Sequence, residues 1–329
     1  MQGHHDRGSV VGRVRPEWDA KEWTQELISD SMPLFARAVF PSALPSPGAG
    51  VLIEERSLSV AASYQYFTLE KAGEIATLRL NRPDKLNAFT LQMLFEFKDI
   101  VDNLRIDLRT RFVIITGEGR AFCSGIDVMK EARDDWYADP RQPNERIFQE
   151  NGQNIVRDWA NLHQITIAAV NGPCVGLGLG IVTLCDFRVV AEDAYFSIPE
   201  TSIGIGYSVS CLYPLLALIG PAQARRMIMT GDRVMAHEAK TIGLAHSVVS
   251  SEDLMSASLE LVGKLSTKGP TALRIVKRMI NAATIAQTAD LAAMEPELVQ
   301  AFYNATGDIE EGLNAYREKR EPRFHLETD

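Results

Sequence analysis

The stretch Asn171 to Asp186, NGPCVGLGLGIVTLCD, constrains the fold more than any other, because closely spaced glycines stand directly beside an apolar run. Thr166 to Val170 reads as a strand that delivers the chain into this turn. Gly178 to Cys185 then reads as a buried helix, and Phe187 to Val190 as the next strand. The first N-H groups of such a helix have no partner within it and suit a ligand oxygen, with a smaller favourable contribution from the helix dipole. The glycines let backbone approach whatever binds there. Fourteen residues after Asp186 comes Glu200, the acid of an isolated Ile-Pro-Glu, near enough in sequence to share the site.

The same alternation extends in both directions. Tyr66–Leu69 and Ile75–Leu80 are expected strands separated by a turn at Lys71-Ala72-Gly73. Leu91, Leu94, Phe97, Ile100, Val101 and Leu104 recur at helical spacing and predict an amphipathic helix over Thr90–Leu108. Phe112–Thr116 predicts a buried strand and Ile147–Leu162 a helix. Further helices are expected at Ser208–Ile219, Pro221–Thr230, Ala236–Ile242, Glu252–Ser266, Pro270–Ala283, Ile285–Phe302 and Asp308–Glu318. This order predicts an α/β fold, a sheet covered by crossover helices. Three regions follow: residues 1–64 as an N-terminal extension with a Pro/Gly/Ser linker at Pro41–Gly50, residues 65–260 as the α/β core, and residues 261–329 as a C-terminal helical region.

Composition narrows the partners. Acidic side chains outnumber basic ones by nine over 329 residues, so the average surface repels nucleic acid and anionic membrane. Cys123, Cys174, Cys185 and Cys211 lie in or beside apolar segments with no CxxC spacing, and read as reduced buried thiols of a cytosol-like compartment. The six histidines show no metal-ligand spacing, so no metal is expected. No apolar run reaches the length of a membrane span and no hydrophobic signal core opens the chain. A cytoplasmic location is expected, with a mitochondrial or other organelle matrix as the alternative because of Arg7, Arg13 and Arg15.

Six ordered motifs resemble the crotonase family, also called the enoyl-CoA hydratase and isomerase superfamily, over about residues 65 to 323. They are NRPDKLNAF at Asn81–Phe89, RAFCSGIDV at Arg120–Val128, AAVNGPCVGLGLGIVTLCDFRVV at Ala168–Val190, IPETSIGI at Ile198–Ile205, MTGDRVMAHEAKTIGLAHSVV at Met229–Val249 and EEGLNAYREKREPRF at Glu310–Phe324. The resemblance implies repeated β-β-α units, a C-terminal helical region that covers the site, and a homotrimer or dimer of trimers. It implies an acyl-CoA thioester as substrate, with CoA as part of that substrate and no prosthetic group. The enolate oxygen is then held by the N-H of Ile126, directly after Ser124-Gly125, and the N-H of Leu177, between Gly176 and Gly178. Leu177 departs from the usual family glycine, which a backbone donor tolerates.

Negative charge grows on the thioester oxygen as a neighbouring proton leaves, and losing one of two such donors costs about 3 kcal/mol in comparable sites. Glu200 matches the second of the two glutamates that hydratases use; the position of the first is Gly180. Two carboxylates suit addition of water, whereas one suits removing a proton and returning it elsewhere. The expected reaction is therefore Δ3,Δ2-enoyl-CoA isomerase-like proton transfer by Glu200. The alternatives are hydratase-like hydration, another enolate reaction (elimination, decarboxylation or C-C cleavage) on a modified acyl-CoA, and a non-catalytic CoA-binding scaffold. Ser208, where dienoyl isomerases carry an acid, argues against that chemistry. Tyr207, Ser208, Trp136 and Tyr137 are candidate acyl-pocket residues, and Asp127 is read as organising its loop. Phe122, Cys123 and Ser124 offer backbone to adenine, while Arg82, Lys85, Lys319 and Arg320 are candidates for the CoA phosphates. A nucleophilic role for Cys123 or Cys174 is not expected, since neither has a base in its motif.

Overall fold

The computed structural model describes residues 64–129, 154–155, 157–207, 209–284 and 307–324. The expected extension before Tyr64 and the helix at Ile285–Phe302 lie outside them, as does half of the Ile147–Leu162 helix. Two hairpin strands, β1 (Phe67–Ala72) and β2 (Ile75–Leu80), turn at Gly73, whose φ of 59° suits glycine. Helix α1 (Leu91–Ile106) is capped by Thr90, whose hydroxyl accepts from the Met93 N-H at 3.2 Å. Met93, Leu94, Phe97, Ile100, Val101 and Leu104 form its buried stripe.

Next come β3 (Phe112–Gly117), β4 (Ile165–Val170), β5 (Cys174–Val175), α2 (Leu177–Thr183), β6 (Phe187–Ala191) and β7 (Tyr195–Ser197). A 3-10 turn at Glu200–Ile203 leads to α3 (Val209–Thr230). That helix breaks at Gly220, φ 70° and ψ 167°, immediately before Pro221, where two separate helices are expected from sequence. The remainder is β8 (Val234–Met235), α4 (Ala236–Thr241), β9 (Ser247–Val249), α5 (Leu254–Ser266), α6 (Pro270–Thr284) and α7 (Asp308–Glu318).

Six strands form the main sheet in the order β1-β2-β3-β4-β6-β9. Only β1 is antiparallel to its neighbour; the rest pair in parallel. All six residues of β3 and of β4 are buried, as expected where elements cover both faces. A second, three-stranded sheet, β5-β7-β8, sits beyond the ends of β4 and β6. Its strands are two or three residues long and have no counterpart in the sequence reading, because so short a run carries no periodicity. This small sheet carries the chain from the end of β4 into α2 and from β7 into the Glu200 turn.

Helix α6 is inverted relative to an ordinary amphipathic helix. Its buried residue is Lys277, while Ile275, Val276, Met279 and Ile280 are each more than half exposed. Helix α7 packs on the Glu200–Ile203 turn. Gly312 lies directly against the Ile203 backbone, and Gly204, φ 71°, lies against the Asp308 carbonyl.

Candidate active site

Two segments run side by side in parallel. Cys123 and Cys174 pair as a bridge, the Val175 N-H donates to the Cys123 carbonyl at 2.8 Å, and the Cys123 N-H donates to the Pro173 carbonyl at 3.1 Å. Ile126 and Leu177 stand three residues further along each segment, at equivalent places. On its other side the first segment bridges Phe89, whose N-H donates to the Gly125 carbonyl and whose carbonyl accepts from the Asp127 N-H, both at 2.8 Å. Since the Gly125 carbonyl and the Asp127 N-H face Phe89, the Ile126 N-H faces away from it. Strict alternation from Ser124, whose N-H donates to Leu86, would turn Ile126 the other way. The positive φ of Gly125, 96°, breaks that alternation.

Leu177 is the first residue of α2, so its N-H has no acceptor within the helix. Gly176 before it donates to the Ser197 carbonyl at 3.0 Å and accepts from Gly180 at 3.1 Å. Among the described residues neither the Ile126 nor the Leu177 N-H donates to a protein acceptor, although their neighbours do. Gly178 is held against Cys123: a side chain there would come within 2.7 Å of the Cys123 Cβ. These contacts set two unused donors on abutting segments.

The acid comes from the other direction. Glu200 opens its 3-10 turn, and Oε1 packs against the α-carbon face of Gly176, where any Cβ would overlap it. Glu200 is thus beside the residue that precedes the Leu177 donor. Its Oε2 is buried and accepts no hydrogen bond from the protein. Burial disfavours the charged form and pushes the carboxyl up to about 7, a value poised for proton exchange near neutrality.

Gly180, in the place of the absent first glutamate, faces α3. Cys211 Sγ occupies the position a Cβ would need, and Tyr207 Oη is 3.8 Å from that point. Burial, with smaller contributions from Cys211 and Glu200, raises the Tyr207 phenol well above its ordinary range, so it stays protonated. Cys211 has no special mark in the sequence; only the packing of α3 on α2 brings it here. Burial pushes the Cys123 and Cys185 thiols up to about 12 and raises the Cys174 thiol well above its ordinary range, which keeps all three unreactive as nucleophiles.

The other expected site residues divide. Phe122 and Cys123 are fully buried, and the N-H groups of Phe122, Cys123 and Ser124 are given to Pro173, Pro173 and Leu86. Those three N-H groups thus hold the loop together. Arg82, expected at a CoA phosphate, turns inward: it donates to Asp127 Oδ2 at 2.7 Å and to the Ala88 carbonyl at 3.0 Å. This pair gives Asp127 the loop-organising role read for it, and Asp127 also accepts from the Met129 N-H at 3.1 Å. Arg320 is bound to Glu311 and Glu318. Lys85 and Lys319 are exposed and carry no ion pair among the described residues. Trp136, Tyr137 and Ser208 lie outside the described residues. Among the described residues no three His, Cys, Asp or Glu side chains gather as a metal site, and no helix is long and apolar enough to cross a membrane.

A family model described as Enoyl-CoA hydratase/isomerase matches residues 70–327. The chain belongs to the enoyl-CoA hydratase/isomerase family. It is 32% identical over 263 residues to the crotonyl-CoA hydratase of Syntrophomonas wolfei, covering 80% of this chain and 98% of that one. It is 31% identical over 255 residues to the short-chain-enoyl-CoA hydratase of Clostridium acetobutylicum, covering 77% and 94%. An enoyl-CoA hydratase structure from Mycobacterium avium subsp. paratuberculosis K-10 superposes with a TM-score of 0.70 at 25% identity, covering 80% of this chain and 100% of that one. The α/β architecture with its C-terminal helices is thus the crotonase fold, and enzymes of this family carry out hydratase- and isomerase-type chemistry on acyl-CoA thioesters.

Proposed function

We propose that this protein shifts the double bond of an enoyl-CoA thioester, with Glu200 carrying the proton. The Glu200 carboxylate takes a proton from the carbon next to the thioester carbonyl. The electrons of that C-H bond move into a dienolate whose oxygen is held by the Ile126 and Leu177 N-H groups. The same carboxyl then returns the proton at the far end of the conjugated system, and the electrons return through the carbonyl to leave the double bond in its new place. No water is gained and Glu200 ends as it began. The observation that carries this reading is a single carboxylate beside the donor loop, with Gly180 where a second would stand and Cys211 filling the space.

A second reading, hydration of a 2-enoyl-CoA, is favoured by the names of the two hydratase relatives, and it needs Glu200 to manage water alone. The two separate in one experiment. Parent protein and Glu200→Gln are incubated with 2-enoyl- and 3-enoyl-CoA thioesters, and products are followed by mass and ultraviolet absorbance. Glu200-dependent interconversion at constant mass supports isomerisation. A gain of one water overturns it in favour of hydration, and binding without turnover overturns both in favour of a CoA-binding scaffold. For CoA itself, the exposed Lys85 and Lys319 are better placed than Arg82 to meet phosphate. The exposed apolar face of α6 fits burial between copies of the chain, in keeping with a trimer or a dimer of trimers.

A further inference from the structure

The absence of an acid at position 180 is only half of what the structure shows there. Gly180 and Cys211 are both buried, and α2 and α3 approach so closely that an added Cβ at Gly180 would overlap Cys211 Sγ and lie 3.1 Å from Cys211 Cβ. Tyr207, from the segment just before α3, closes the same space with its hydroxyl. Interiors at this density leave no room for the two methylene carbons and the carboxylate of a glutamate. Restoring the acid alone would therefore drive the Cys211 thiol from its place and press on its Cβ across the α2–α3 interface.

We propose that Cys211 is a specificity-determining residue, whose side chain holds the place of a second acid and so confines the site to proton transfer within the acyl group. This deepens the single-acid reading and rests on it. Cys211 has no part in the proton transfer itself; it acts through space denied to the acid and to the water that such an acid would hold. Hydration is then closed by two linked features, glycine on α2 and cysteine on α3. Reopening it requires changing both.

The test uses the full chain with Gly180→Glu, Cys211→Ala and the double variant, each assayed for hydration of a short 2-enoyl-CoA and isomerisation of a 3-enoyl-CoA. The expected result is a hydration rate in the double variant at least tenfold above either single variant. Equal hydration by Gly180→Glu alone, or no gain in a folded double variant that binds the thioester, overturns the proposal. So does efficient hydration by the parent. Failure of the parent to isomerise overturns the single-acid reading alone, since the gain in hydration is measured independently.

Should the glutamate variants fail to fold, a stability cycle decides. Gly180→Ala is expected to lower the urea midpoint in the parent, and Cys211→Ala to recover most of that loss. A Gly180→Ala variant as stable as the parent, or an undiminished loss beside Cys211→Ala, overturns the proposal.

Discussion

Lys277 Nζ lies 2.7 Å from Asp186 Oδ2, tying helix α6 to the three residues that join α2 to β6. Lys277 also donates to the Gln164 carbonyl at 2.7 Å, and Asp186 Oδ2 accepts from the Thr166 N-H at 2.8 Å and hydroxyl at 3.0 Å. One buried cation thus clamps the start of β4 to the far end of the helix whose first residue is Leu177. Lys277→Ala leaves Asp186 without its counter-ion and is expected to destabilise the protein by about 3 kcal/mol. Urea unfolding with an unchanged slope checks it.

Glu200→Gln is expected to lower turnover by about 10² to 10⁴, the range for a positioned acid or base, with little change in KM. In the parent, kcat/KM should rise as pH increases through about 7, because proton removal needs the carboxylate and burial holds its titration there. The stability sign is opposite. The folded-state value is raised from 4.5 to about 7, so the native state binds the extra proton between them. That contribution is fully present below about 4.5 and lost as pH rises through about 7. Glu200→Gln should flatten this part of the stability profile, as read by urea titrations at several pH values.

Arg82→Ala should act on stability more than on substrate affinity. Removing the guanidinium leaves the Asp127 carboxylate buried beside Ile126, at a cost of about 2 kcal/mol for a lost charged hydrogen bond. A rise in KM without loss of stability would instead return Arg82 to the CoA phosphates.

The α6 face supplies a fourth expectation. Met279→Glu or Ile275→Asp places a charge among exposed apolar side chains and should cost a monomer almost nothing. Light scattering is expected to show a larger assembly for the parent and a smaller one for these variants. A parent of one-chain mass would remove this role for α6.

Much of the fold was legible because its long elements carry their periods openly. The 3.6-residue recurrence from Leu91 to Leu104 and the fully apolar Phe112–Ile115 each allow one assignment. The 3-10 geometry around Glu200 and the sheet formed by Cys174–Val175, Tyr195–Ser197 and Val234–Met235 were not legible, since two or three residues fix no period. At the site, Glu200, Ile126 and Leu177 could be named from ordered motifs. The inward turn of Arg82 depends on which carboxylate is nearest in space, Asp127, 45 residues away. Cys211 was invisible for the same reason: its neighbour Gly180 is reached only across a helix interface.

The glycine contacts between α7 and the Glu200 turn have a consequence for how the protein is made. Gly312 and Asp308, near the end of the chain, press on Ile203 and Gly204. A ribosome that has released the sheet and both donor segments has therefore not yet released the residues that brace the acid. The two donor segments can thus meet before the contacts that brace the Glu200 turn exist.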